Sequence, residues 1–177
     1  WGNDRDSLDL IEHRLSRKRG SKKHYQRMLD FLEDNDLSQS ENYAYIQTQM
    51  DVDNFMNYKI AQIFYDNVDA GGNIKYWRPQ TEDGRWRWIL YDTDWGFGLH
   101  SNTAYKHNSL DFHTEPEGPS WPNPPWSTFI LRKLLDNEEY RQEIKMTTYG
   151  IQNTISNWSF FFTNWANPIG SRKRFRI

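Results

Sequence analysis

No cysteine occurs anywhere in this 177-residue chain. That absence removes disulfides, thiolate metal sites and cysteine nucleophiles together. No apolar run approaches the roughly 18 residues of a membrane-spanning helix, and the opening WGNDRDSLDL lacks the features of a signal peptide. Charge of one sign is missing too: 22 basic against 24 acidic residues leave a formal net charge of -2, so no global field draws the chain to nucleic acid or an anionic membrane. Because the chain opens on Trp1 rather than Met, it reads as a fragment of a longer protein. Acidic residues stop at Glu143, whereas Lys145, Arg172, Lys173, Arg174 and Arg176 are all basic around an aromatic WSFFFTNW. This end suits neither a good helix nor a good strand. Residues 146–177 are therefore expected to form an atypical basic and aromatic tail of non-native origin, the alternative being a membrane-seeking tail.

What is present is aromatic. Hydrophobic residues make up only 36% of the chain, but aromatics at 16% supply large apolar pieces, enough for one domain with a real core. Periodicity places the elements. LDLIEHRL, residues 8–15, reads as a short helix or strand end, and RKRGSKKH as a solvated turn around Gly20. Tyr25, Met28, Leu29 and Leu32 predict a helix from Ser21 to about Glu33, followed by a polar loop and another helical turn. The clearest element is a helix from Val52 to about Asp66, capped by Asp51, with Val52, Phe55, Met56, Ile60, Ile63 and Phe64 on its buried face.

The period then changes from 3.6 to 2. NIKYWRP and RWRWILY flank QTEDG, where Asp83-Gly84 signals a hairpin, and the alternation of Arg with Trp gives one packed face and one solvated face. DTDWGFGLHS is a glycine-punctuated loop whose glycines suit a bend close to a ligand, and the proline-dense EPEGPSWPNPP is irregular, packing on the rest of the domain. A last helix is expected from about Ser127, capped by Ser127 or Thr128, with Phe129, Ile130, Leu134 and Leu135 inward. His100, His107 and His113 recur at intervals that no compact metal motif uses, so they read as loop histidines.

One stretch carries chemistry. DNVDAGGN leaves a buried helix with Asp69 and Asn73 four residues apart in a glycine-containing loop, while Asp92 and Asp94 stand at the mouth of the strand RWRWILY. Ordinary turn formation explains each pair taken singly. Together, in this order around a hairpin, a carboxylate and an amide followed by two carboxylates follow the logic of phosphoryl transfer, with oxygen ligands for a hard divalent cation. Lys75 and Arg78 stand near enough in sequence to contact phosphate.

MDVDNFMNYKIAQIFYDNVDAGGNIKYWRP, RWRWILYDTDWGFGL and WPNPPWSTFILRKLLDNEEYRQE closely resemble the spore-coat CotH kinase family, over roughly residues 8–145. The resemblance implies an α+β, mostly helical protein-kinase-like C-terminal lobe with an inserted β-hairpin, its N-terminal lobe missing. It also divides the chain into a partial catalytic domain, 1–145, and the tail, 146–177. It implies transfer of phosphate from ATP, with Mg²⁺ or Mn²⁺, to Ser or Thr of proteins such as spore-coat or surface proteins. Asp69 would be the catalytic aspartate, with Asn73, Asp92 and Asp94 as metal ligands and Lys75 and Arg78 as cofactor contacts. The expected partners are the acceptor protein and the upstream lobe of the same domain, in a secreted, cell-surface or spore-coat setting. No Gly-rich phosphate loop precedes the first helix. The rival readings are a non-catalytic coat or surface assembly module with a degenerate kinase fold, and a carbohydrate-active domain.

Overall fold

A computed structural model of the chain describes residues 7–99 and 101–150. Two compact units divide it, Trp1–Arg141 and Gln142–Ile177. The first contains every candidate site residue, and in the second residues 142–150 are helical. The expectation for the tail falls, from 151 onward, outside the described residues.

Strands β1 (Leu8–Glu12) and β2 (Ser16–Arg19) precede helices α1 (Lys23–Asp34), α2 (Ser40–Gln49) and α3 (Val52–Phe64). Strands β3 (Lys75–Pro79) and β4 (Arg87–Ile89) follow, then α4 (Ser109–Thr114) and α5 (Pro125–Leu134). The chain is α+β. Its hairpin forms where the alternation places it, pairing Tyr76 with Trp88 and Trp77 with Arg87. It is no isolated insertion, however: β1 pairs along the whole of β3 and β2 pairs with β1, giving a four-stranded antiparallel sheet in the order β2-β1-β3-β4. The expected basic turn is thus partly strand β2, exposed at all four positions. Charged side chains on such an edge discourage pairing with other chains.

One face of the sheet carries the aromatic core. The rings of Tyr25 and Tyr76 stack at 4.3 Å, the edge of Tyr25 meets Trp86 at 5.0 Å, and Phe55 of α3 meets Trp88 at 4.6 Å. Trp86 is fully buried and its indole N–H donates to His24 Nδ1 at 3.1 Å. The same face buries Asp9 and Arg78, 3.7 Å apart, with Ser21 N–H and Gln80 Nε2 also donating to Asp9 Oδ1.

Helix α3 starts as its sequence directs, the Asp51 carboxylate accepting from Asn54 N–H at 3.1 Å. Its buried stripe holds two polar residues, Lys59 and Gln62, while Phe64 is 47% exposed instead of buried. Ile63 and Phe64 end the helix where it turns away from the core, and Phe64 meets the edge of Phe97 at 5.9 Å. Helix α5 begins two residues before Ser127, with Pro at its first turn, where a missing N–H costs nothing. Neither Ser127 nor Thr128 caps it; Ser127 Oγ donates back to the Pro124 carbonyl at 2.8 Å. Leu131, rather than Phe129 or Leu135, completes the buried stripe. The helical run also breaks after Leu134, because Asn137 turns inward to donate to the Leu37 carbonyl and accept from Tyr140 N–H.

Candidate active site

The site lies where α3 ends. Beyond Tyr65 the backbone turns through Asp66 at a φ of 50°, and Asn67 drops into the interior, fully buried. Asn67 Oδ1 accepts from Asp69 N–H at 3.2 Å, and its amide N–H₂ donates to Gln62 Oε1 at 2.8 Å and to the Asp92 carbonyl at 3.4 Å. One side chain thereby ties together the helix end, the incoming loop and the outgoing loop. Nothing in the composition of the segment singles it out, although an Asn two residues before a turn residue is the sequence mark of an Asx-turn.

The incoming loop is tight, with Gly72 N–H and Asn73 N–H both donating to the Asp69 carbonyl at 3.0 and 3.3 Å. Gly71 is required by contact: a Cβ there would lie 2.1 Å from the Pro122 carbonyl oxygen. The proline-rich loop packs here, as its composition led one to expect, with Asn123 buried and donating to the Phe112 carbonyl at 2.6 Å. In the outgoing loop Asp92 sits at a φ of 54°, and Phe97 N–H donates to the Tyr65 carbonyl at 2.5 Å. Gly96 is therefore needed for close approach to Tyr65, whose carbonyl oxygen a Cβ would meet at 2.9 Å. The two loops are held against the same helix end.

This brings four expected residues into one electrostatic neighbourhood. Asn73 Nδ2 donates to Asp69 Oδ2 at 2.5 Å, while Asp69 Oδ1 is buried without a hydrogen-bond partner. Burial, and then the charges of Asp92 and Asp94, hold the Asp69 carboxyl above the usual carboxylate range. Asp92 is also raised, first because a hydrogen bond to Asp94 favours a protonated form. Carboxylates that share a hydrogen bond and face a third acid are under-neutralised.

The two expected cations part company. Lys75 projects beside the acidic loops, its ammonium 4.3 Å from the ring centre of Tyr91, the residue before Asp92. Three residues on, strand alternation turns Arg78 to the packed face, where it donates to the Thr81 carbonyl at 2.9 Å and pairs with Asp9. The structure does not bring Arg78 to the acidic loops. Of the histidines, His113 is not in a loop: it is buried in α4. His107 lies 2.5 Å from the Asp66 carboxylate, and His100 is outside the described residues. An open hollow of about 510 Å³ adjoins the site, lined by Asp66, Val68, Ser101, Thr103, Lys106 and His107.

Among the described residues no three His, Cys, Asp or Glu side chains form a closed metal cage. A magnesium-type ion does not need one. It keeps several waters and binds through one or two carboxylates plus phosphate oxygens. Asp92, Asp94 and the amide oxygen that Asn73 has left after donating to Asp69 are the oxygen donors such an ion takes, and one Asp69 oxygen is buried without a hydrogen-bond partner.

Comparison with curated proteins and with solved structures finds no match. A protein-family model described as CotH kinase protein matches residues 3–158, passing the expected boundary at 145 and taking in all four strands and the whole acidic site. The chain belongs to the CotH kinase family.

Proposed function

We propose that this chain carries the catalytic, metal-holding part of an ATP-dependent phosphotransferase acting on Ser or Thr of proteins. The observation that carries the reading is the convergence of the hairpin's two ends: Asn67 bonds both Asp69 N–H and the Asp92 carbonyl, and Asp69, held by Asn73, feels the charges of Asp92 and Asp94. Family membership supports it.

Asp69 orients the acceptor hydroxyl and takes its proton as the hydroxyl oxygen bonds to the γ-phosphorus and the bond from that phosphorus to the bridging oxygen breaks. Its raised carboxyl suits a group that must receive a proton. Asn73 Nδ2 fixes the rotamer of Asp69, and Asn67 fixes its backbone. Asp92, Asp94 and the Asn73 amide oxygen would hold Mg²⁺ or Mn²⁺, which supplies charge neutralisation on the phosphate oxygens. Lys75 stands where it can meet the same phosphates. The hollow beside Val68, one residue from Asp69, offers room for the acceptor segment, and coat or surface proteins are the acceptors this reading proposes.

The full-length protein should transfer label from γ-labelled ATP to a protein acceptor with Mn²⁺ present. Asp69→Ala or Asp94→Ala should reduce this by about a hundredfold or more, the scale of a lost positioned base for Asp69 and of lost charge stabilisation for Asp94. Equal incorporation by these variants would return the chain to the assembly-module reading.

A further inference from the structure

We propose that Glu12 is a positioning residue that tethers the Lys75 ammonium away from the Asp92 and Asp94 carboxylates, keeping that pair open for a divalent cation. The inference rests on the reading that the pair takes a metal, and it adds a residue from the first strand that none of the site motifs contains.

The tether is built from three elements. Glu12 and Lys75 face each other across β1 and β3, and Lys75 Nζ lies 3.2 Å from Glu12 Oε1. The other oxygen, Glu12 Oε2, receives Lys18 Nζ at 2.6 Å. Each carboxylate oxygen thus has its own ammonium, and Lys18 fixes the orientation in which Glu12 meets Lys75. The Glu12 side chain is 16% exposed, against 35% for Lys75. Both lysines hold the Glu12 carboxyl below its ordinary range, so it stays charged. The Tyr91 ring forms the third wall, 4.3 Å from the ammonium, a distance at which a cation is attracted to a ring face.

The position matters because of what lies just beyond. The field of Lys75 reaches Asp92, yet among the described residues no ion pair joins Lys75 to Asp92 or Asp94. A lysine is a point charge on a flexible four-carbon stem. Released from Glu12, it would settle on the nearest uncompensated negative charge, the two hydrogen-bonded carboxylates, and occupy the space a cation needs. Held by Glu12, it stays at the rim, able to meet an anion that arrives with the metal.

Mn²⁺ titration of the chain, followed by loss of the free-ion paramagnetic resonance signal, tests this without any turnover. Glu12→Gln should weaken Mn²⁺ binding by about fivefold, the effect of an ammonium moving within a few ångströms of the ligands in a partly screened site. Lys75→Met should bind at least as tightly as the parent, and the double variant should match Lys75→Met. An unchanged Glu12→Gln, or a double variant as weak as Glu12→Gln, overturns the tether. In the metal-free chain, couplings from the Lys75 Nζ to side-chain carboxyl carbons should report Glu12 in the parent and Asp92 or Asp94 in Glu12→Gln. A Lys75 with no carboxylate partner in that variant also overturns it. If the parent takes up no Mn²⁺, the metal reading fails while the couplings still decide where Glu12 holds Lys75.

Discussion

Asp69 shows how a residue's role is set by its surroundings. Its sequence context reads equally well as a turn, but one of its oxygens is buried without a partner and the other is held by Asn73. On the proposed function, a carboxylate in that state is kept available for a proton or a hydroxyl. Asn67 is its counterpart, fully buried with its amide saturated. Asn67→Ala would strip Gln62 Oε1 of its donor inside the protein and free both loops. We expect a loss of about 2 kcal/mol in urea unfolding, the scale of an orphaned buried polar group, together with weaker Mn²⁺ binding. Unchanged stability with the metal response intact would mean that the loops hold themselves. Asp69 and Asn73 were legible because they sit four apart in one loop. Asn67 was not, because its three partners come from positions 62, 69 and 92.

Among the elements, β4 is the shortest strand and lies at the sheet edge. Its exposed ladder is closed by a side chain: Asn54 Oδ1 accepts from Trp88 N–H at 2.6 Å, and Asn54 Nδ2 donates to the Trp88 carbonyl at 3.3 Å. A helix thus takes the place of a fifth strand, and Arg87 adds a second fastening at 2.8 Å to Asp51. Since the same strand leads to Asp92 and Asp94, the helix whose end carries the Asp69 loop also anchors the strand that delivers the two proposed metal ligands. Asn54→Ala should cost about 1 to 2 kcal/mol and speed amide exchange at Trp88 more than at Tyr76 on the inner strand. Uniform exchange across both strands would show that Asn54 does not guard the edge. The period of α3 and the turn at Asp83-Gly84 were readable because both are local patterns. The pairing of β1 with β3 joins Glu12 to Lys75 across more than sixty residues, and no local pattern encodes it.

At the scale of the molecule, the interior of the first unit carries ionisable groups that serve no ion pair. His113 is buried in α4, and burial first, then the charges of Lys59 and His107, lower it to about 3. Burial alone lowers Lys59 to about 8, with the Ser127 carbonyl accepting its hydrogen bond at 3.1 Å. In both cases the unfolded chain binds the proton more strongly. Stability therefore rises with pH between about 3 and 6.5 for His113, and again between about 8 and 10.5 for Lys59. His113→Gln should flatten the lower rise, whose slope reaches at most about 1.4 kcal/mol per pH unit for one proton; an unchanged slope would place the protonation elsewhere. No periodicity could have shown this, because burial of a helical histidine depends on what packs over it. The sequence by itself determined the helices, the hairpin and the order of the four polar site residues, since propensity, capping and alternation act over a few neighbours. Only the tertiary structure decided that β1 and β2 complete the sheet, that Arg78 turns inward while Lys75 stays beside the acidic loops, that Asn67 joins those two loops, and that Glu12 pairs with Lys75. Those outcomes depend on burial and charge summed over distant segments, which come together only when the chain folds.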